Sequence, residues 1–391
     1  MKILYHHRIA SKDGQYVHIE EIITALRQLG HEVFVVEPDS INSKEFGQGA
    51  SLVKNIRAIL PGFVHEIAEF LYSVADYLKL KKAIKAHKPD FIYERYNLYF
   101  PSGIWAAKKF GLPLILEVNA PLLDERSKHD HIGLPKLARW TEEYVWRSAN
   151  HVLPVTQVLA DRVMRSGVQQ QNIQVIHNGI NKDKFSAPAD TSTIKQTLKI
   201  EGRKVLGFTG FVREWHRLDR VLDVMHNYSL DGWCFLVVGD GPARSEIEQK
   251  AESLGLKDQV VFTGLVGRED INQYVSCFDV ALQPDVVEYA SPLKLFEYLV
   301  LGKAVLAPDK ANIREVLTDG EDALLFNVDD GDDFKIKLHQ LCESEELRSA
   351  LGAAAEDLVQ REGYYWLNNA EKIVSIAKLH LEQEGVIDAT N

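Results

Sequence analysis

Tyr289-Ala-Ser-Pro-Leu-Lys-Leu-Phe-Glu297 carries the residue types and spacing that point most directly to chemistry. A short polar entry, Ser291-Pro292, runs through Leu293 into an amphipathic stretch with Lys294 near its start and Glu297 further in. The preceding Val280-Ala-Leu-Gln-Pro284 reads as a buried strand. A helix opening at the carboxyl end of a parallel strand aims free backbone N–H groups, and the positive end of its dipole, at the crevice above the sheet. Such a place holds a phosphate. A glutamate in the same helix can hold a pair of ribose hydroxyls. The chemistry suggested is the handling of a nucleoside diphosphate.

Other strand-to-helix turns supply further candidates. Gly207-Phe-Thr-Gly-Phe-Val-Arg-Glu-Trp-His-Arg-Leu-Asp219 ends a strand and enters a helix. Gly210 there permits close backbone approach, and Arg213, His216 and Arg217 are cationic donors for a diphosphate leaving group. The bland reading of that turn is a basic loop capping a sheet edge. Val237-Val-Gly-Asp-Gly-Pro-Ala-Arg244 has part of a dinucleotide fingerprint, but Arg244 stands where the third glycine belongs. It is expected to be a tight turn with Pro242 at the first helical position, and with Gly239 and Asp240 lining a cleft. Gly14, in Asp13-Gly-Gln-Tyr-Val-His18, opens a helix after the first strand and lets backbone N–H groups approach a ligand; a plain helix entry fits equally well. Asn119, after Glu117-Val118, sits where strand-end side chains face a crevice. Glu94-Arg95 reads as a local salt bridge before it reads as an acceptor contact, and His177 as a hinge-loop residue before a catalyst. There is no metal-ligand spacing, no Gly-x-Ser-x-Gly elbow and no Gly-x-x-x-x-Gly-Lys-Ser/Thr phosphate loop.

The elements that must position these residues alternate along the whole chain. Strand-like runs in the first half are Lys2–His7, His31–Glu37, Phe91–Tyr96, Pro113–Asn119, His151–Thr156 and Gln174–His177. In the second half they are Lys204–Phe211, Cys234–Gly239, Gln259–Gly264, Val280–Gln283, Ala304–Ala307 and Ala323–Phe326. Helical patterns such as Val17–Leu29 and Lys136–Arg147 lie between them, and a long amphipathic one, Tyr364–Leu379, comes last. This spacing predicts parallel sheets covered on both faces. The small, polar stretch Ser186–Thr193 marks a boundary. The expected class is α/β: two doubly wound, Rossmann-like domains, 1–185 and 186–365, facing across a deep cleft.

With 391 residues, 46% hydrophobic and 26% charged, the chain can fill two cores and reads as globular. Cys234, Cys277 and Cys342 are far apart, so buried reduced thiols and a cytoplasmic setting are expected. Met1-Lys-Ile-Leu-Tyr5 already reads as a core strand rather than a signal peptide, and no apolar run is long enough to span a bilayer. The net charge of -11 is uneven: residues 1–180 balance at +3 and residues 181–391 at -14. The basic run Leu78–Lys88 is a solvated helix face or a contact with an anionic membrane surface. An acidic chain without a basic-aromatic stripe is no candidate for nucleic acid.

Taken together, the motifs resemble the bacterial glycosyltransferases of family 4 and their two-domain GT-B fold over nearly the whole length. The resemblance rests on Gly14, Gly30-His-Glu-Val33, Ile176-His-Asn-Gly-Ile180 with Phe185, and Phe208-Thr-Gly-Phe-Val-Arg213. It continues through Val238-Gly-Asp-Gly-Pro242, Phe262-Thr-Gly-Leu-Val266, and Ser291-Pro-Leu-Lys-Leu-Phe-Glu-Tyr298 with Gly302. It implies a retaining transferase that needs no metal or cofactor and moves a hexose from a nucleoside diphosphate sugar to a saccharide or lipid-linked acceptor. It places Glu297 on the donor ribose, Arg213 and Lys294 with the Ser291 helix opening on the diphosphate, and Leu265, Val266 and Arg268 along the base. It also implies that the last helix, from about Trp366, crosses back onto the first domain. Of the family's pair of glutamates spaced by seven residues, the first position holds Tyr289, with Glu288 one residue out of register. The family's lysine after the first strand of the second domain is His216 here, and the usual strand-end histidine of the first domain is Asn119. Three rival readings are a sugar-nucleotide epimerase of the same architecture, a nicotinamide dehydrogenase and a non-catalytic nucleotide-sugar-binding module.

Overall fold

The computed structural model describes residues 1–10, 14–38, 62–129, 132–186, 190–383 and 385. The chain divides into two compact units, one of Met1–His177, Tyr289–Ser291 and Trp366–Asn391, the other of Asn178–Glu288 and Pro292–Tyr365. Each is built on one sheet. The first sheet holds β1 (Lys2–His6), β2 (Glu32–Val36), β3 (Phe91–Arg95), β4 (Leu114–Val118) and β5 (His151–Pro154), in the order β2-β1-β3-β4-β5. The second holds β6 (Lys204–Thr209), β7 (Trp233–Val238), β8 (Val260–Phe262), β9 (Val280–Leu282), β10 (Ala304–Pro308) and β11 (Leu324–Phe326), in the order β11-β10-β9-β6-β7-β8. Every pairing is parallel; Ile3, for example, lies between Val33 and Phe91.

Strands β3, β4, β5 and β7 are buried at every position. That is why they read as mostly apolar runs without alternation, β7 without a break: helices cover both faces of a parallel sheet. The first core gathers Leu4, Ile92, Leu116, Val152 and Trp146; the second gathers Leu206, Phe208, Phe235, Leu306 and Phe326. Helix ends use ordinary caps. Thr156 accepts from the Leu159 N–H to start Gln157–Arg165, and Ser344 does the same with Leu347 to start Glu345–Glu362; each is worth about 1 kcal/mol.

Three expectations change. Gln174–His177 is not a strand. It runs extended beside β5, held by the Gln174 N–H on the Val152 carbonyl and the Ile176 N–H on that of Pro154, so the first sheet has five strands among the described residues. Pro242 is not the first helical residue; it lies in a turn, and the helix Arg244–Ser253 begins two residues later. In the boundary stretch, residues 187–189 lie outside the described residues, and Ser192-Thr193 open the helix Ser192–Thr197. The final helix, Trp366–Gln383, belongs to the first unit, where the Trp366 ring meets that of His18 edge-on at 4.8 Å.

Candidate functional site

In the second sheet the strand order reverses between β6 and β9, and the chain segments after both strands meet there. The helix Leu293–Val300, which follows β9, is tied to the end of β6: the Thr209 N–H donates to the Tyr298 hydroxyl at 2.9 Å, and the two hydroxyls lie 3.2 Å apart. Pro292 caps the helix without a side-chain hydrogen bond of its own, so the cap residue leaves the N–H groups of the first turn to other partners. Lys294 lies across the Phe208 ring, 3.8 Å from its centroid. A Cβ at Gly210 would come within 3.1 Å of the Lys294 Nζ. The glycine after β7 has a similar but purely steric task. Gly239 has φ near +143°, and a Cβ there would lie 2.1 Å from the Gly210 carbonyl oxygen. The two turns pack backbone to backbone, which no other residue allows.

The electrostatics separate three cation candidates on the β6 turn. Burial, then the nearby Lys294 and Arg213 charges, push His216 down to about 2. It is therefore a neutral acceptor for the Arg213 N–H at 3.3 Å, not the cationic donor expected from the sequence. Arg217 is paired with Asp219 at 3.2 Å. Arg213 is exposed between the Phe211 and Trp215 rings, 4.7 and 4.8 Å from their centroids, with no ion pair among the described residues. Burial brings Lys294 down to about 7, against a partial upward pull from Glu297. Glu297 itself is buried, and its Oε1 accepts from Arg268 Nη1. The Arg268 guanidinium rests 4.8 Å above the Phe185 ring. The expected ribose and base residues thus form one contact.

The remaining donor candidates are spread more widely. Asp240 accepts from the Gly241 N–H at 2.8 Å and pairs with Arg244 at 3.4 Å. Leu265 is exposed and Val266 partly buried. A groove of about 470 Å³ is lined by Arg213, Arg217 and Lys250 but not by Lys294 or Glu297, so of the expected donor contacts it shares only Arg213. Ser291 is buried and groups with the first unit; Pro292 and Leu293 group with the second. Among the described residues no cluster of three or more His, Cys, Asp or Glu side chains could hold a metal ion.

In the first sheet the order reverses between β1 and β3, and their carboxyl ends carry two buried ionic networks. His6 stands between two carboxylates, Nδ1 at 2.6 Å from Glu94 and Nε2 at 3.0 Å from Asp76. Asp76 also takes Arg8 at 3.1 Å and the Ser102 hydroxyl at 2.6 Å. Burial opposes the charge on His6, but Asp76 and Glu94 overcome it and hold the ring at about 9. Glu117 accepts from Tyr93 at 2.7 Å and Arg95 at 2.8 Å, and pairs with His18 at 2.9 Å. The Glu94-Arg95 bridge expected from the sequence is therefore absent, because neighbours on a strand point to opposite faces. Asn119 follows β4, and its buried Oδ1 has no hydrogen-bond partner among the described residues. Gly14 is the first residue of the helix Gly14–Gln28, while Asp13 lies outside the described residues. His177 donates from Nδ1 to the Val155 carbonyl at 3.0 Å, a structural contact in keeping with its loop position.

Comparison with known proteins then decides the family. The Glycosyltransferase Family 4 profile matches residues 12–184, and the Glycosyl transferases group 1 profile matches residues 190–358. The chain belongs to the GT-B glycosyltransferases. It is 29% identical to the 2-deoxystreptamine glucosyltransferase of Streptomyces kanamyceticus over 48% of this chain, a match spanning only 50% of that relative's length. It is 22% identical to the alpha-monoglucosyldiacylglycerol synthase of Streptococcus pneumoniae, over 78% of this chain and 70% of that one. Among solved structures, Anabaena HepE in complex with UDP-glucose superposes with a TM-score of 0.72 at 18% identity, covering 99% of this chain and 100% of that one.

In this glycosyltransferase, Tyr289 stands where the family's first glutamate is expected. Its hydroxyl donates to Glu125, and its carbonyl accepts from the Thr156 hydroxyl at 3.0 Å. Nothing in the residue spacing signals the Glu125 contact, because 164 residues separate the partners. The His6–Asp76–Glu94 network was equally hidden; a His6-His7 pair closing a buried strand was its one trace.

Proposed function

We propose that this glycosyltransferase moves a hexose from a nucleoside diphosphate sugar to a saccharide or lipid-linked acceptor, with retention at the sugar carbon. It would need neither a metal nor a cofactor. The setting would be cytoplasmic synthesis of a cell-surface polysaccharide or glycoconjugate. One observation carries the donor half of this reading: Lys294 and Glu297 share the helix at the β6/β9 reversal, one at its open N-terminal turn and one further in. Binding crevices lie at such reversals. Lys294, Arg213 and the first-turn N–H groups would take the diphosphate, and Glu297 the ribose hydroxyls. Arg268, now on Glu297, would exchange that contact for the donor's base side, along Leu265 and Val266. Fixed positive groups at the leaving diphosphate supply the main catalytic term. On the acceptor side, the unpartnered Asn119 Oδ1 is the group to test.

The donor assignment is tested by calorimetry after a thermal-shift screen of UDP, GDP, ADP and TDP sugars has chosen the nucleotide. Glu297→Ala should weaken binding by about 1–3 kcal/mol, the worth of a charge-assisted hydrogen bond. Unchanged affinity in a variant with an unchanged melting midpoint would remove Glu297 from the site. Release of nucleoside diphosphate only when an acceptor is present separates a transferase from an epimerase or a binding module.

A further inference from the structure

The helix Gly62–His87 buries Leu80 and Ile84 in the first core but leaves a row of apolar residues on its outward face. Over the first four turns its inward face carries polar and charged groups beside Phe70, and three of them, Glu66, Ser73 and Asp76, are held by partners. Glu66 accepts from the Gly133 and Leu134 N–H groups at 2.7 Å each, Ser73 donates to the Tyr99 carbonyl at 2.9 Å, and Asp76 joins the His6 network. Its outward face carries Phe63, Ile67, Leu71, Val74 and Leu78, between 41% and 59% exposed. Steps of four, four, three and four residues put all five in one stripe on a helix of 3.6 residues per turn. Trp140, also exposed, borders the stripe through Phe70, with ring centroids 6.1 Å apart. The same helical face then turns basic: Lys81, Lys82 and Lys85 continue the stripe for the last two turns and make no ion pair among the described residues. No acidic side chain interrupts it. Glu66 and Asp76 are buried, and Glu69 is held by Arg126 at 2.8 Å.

We propose that this face docks the protein on an anionic lipid bilayer, with the helix lying in the plane of the interface. A contiguous row of apolar residues on the solvent face of a helix needs a covering surface. An apolar stripe that ends in lysines, with a tryptophan at its edge, matches a bilayer of acyl chains beneath negative headgroups. The charge division of the chain agrees, since residues 1–180 balance at +3 and the rest at -14. No helix among the described residues is long and apolar enough to cross a membrane, so the contact is peripheral. This inference holds whether or not the transferase reading does.

The test is sedimentation of the full chain with phosphatidylcholine vesicles, with and without phosphatidylglycerol. Wild type should bind the anionic vesicles and not the neutral ones, and high salt should release it. Leu71→Glu with Leu78→Glu should lower binding at least roughly tenfold, since both sit where acyl chains would be. Lys81→Gln, Lys82→Gln and Lys85→Gln together should lower it on the order of 100-fold, at about one charge's worth per lysine. All five positions are at least partly exposed, and melting midpoints should stay at the wild-type value. Failure of wild type to bind anionic vesicles overturns the proposal. So does undiminished binding by either variant set, and so does a wild-type dimer in sedimentation velocity that Leu71→Glu turns into a monomer, which would make the stripe a self-contact.

Discussion

Lys294 is the residue whose chemistry is most sharply set by its surroundings. Packed on the Phe208 ring under Gly210, it is held at about 7 by burial, so near neutrality a large fraction of it is uncharged. A bound diphosphate favours the ammonium form. Donor binding should therefore take up close to one proton above pH 7, and affinity should rise as pH falls through 7. Calorimetry in buffers of different ionisation enthalpy measures the uptake, and Lys294→Gln should abolish it. Pyrophosphate-bearing ligands that bind wild type with no proton uptake at pH 8 would remove Lys294 from the contact. Arg213 has no acidic partner among the described residues, so Arg213→Ala should leave folding intact while lowering kcat by about 10²-fold, the usual cost of losing one donor at a developing charge. A variant with wild-type turnover in a steady-state assay moves that role elsewhere.

At the scale of the element, the helix Gly62–His87 is fastened to its sheet by ions at Asp76 as well as by the apolar packing of Leu80 and Ile84. Removing one member of a buried ionic network strands the others, so His6→Ala should cost about 3–5 kcal/mol in urea unfolding of the full chain. The pH dependence has a defined sign. His6 is held above its ordinary 6.5, at about 9. Its contribution is whole below 6.5 and is lost as pH rises through 9. Asp76 is held at about 2, below its ordinary 3.8; its contribution is present above 3.8 and is lost as pH falls through 2. Wild type should lose stability between pH 7 and 9, and His6→Ala should lose much less. Such elements were only half legible in the sequence. Strand runs such as Phe91–Arg95 and Trp233–Val238 declared themselves because every position is buried. The phosphate-side helix did so because Ser291-Pro292 precedes a clean amphipathic period. Partners such as His6 with Glu94, or Tyr289 with Glu125, lie 88 and 164 residues apart, and spacing carries no sign of them. Gln174–His177 misled because an apolar run beside a sheet looks like a strand even where only two hydrogen bonds form.

Over the whole molecule, two units each own a sheet and a core, and the chain returns to the first unit through Trp366–Gln383. That helix buries Trp366, Ile373, Ala377 and Leu381. Trp366→Ala should cost about 3–5 kcal/mol, read as a lowered urea midpoint, and a chain ending at Tyr365 should lose the cooperative transition of the first unit while keeping that of the second. The central claim is that the second unit, at the helix Leu293–Val300, owns the diphosphate of an activated sugar. A crystal of the full chain soaked with the nucleoside diphosphate chosen by the thermal screen tests it most directly. The account predicts difference density at the opening turn of that helix, with phosphate oxygens within hydrogen-bond distance of Lys294 and ribose hydroxyls on Glu297 in place of Arg268. Density confined to the strand ends of the first unit, beside Asn119 and the His6 network, would contradict it.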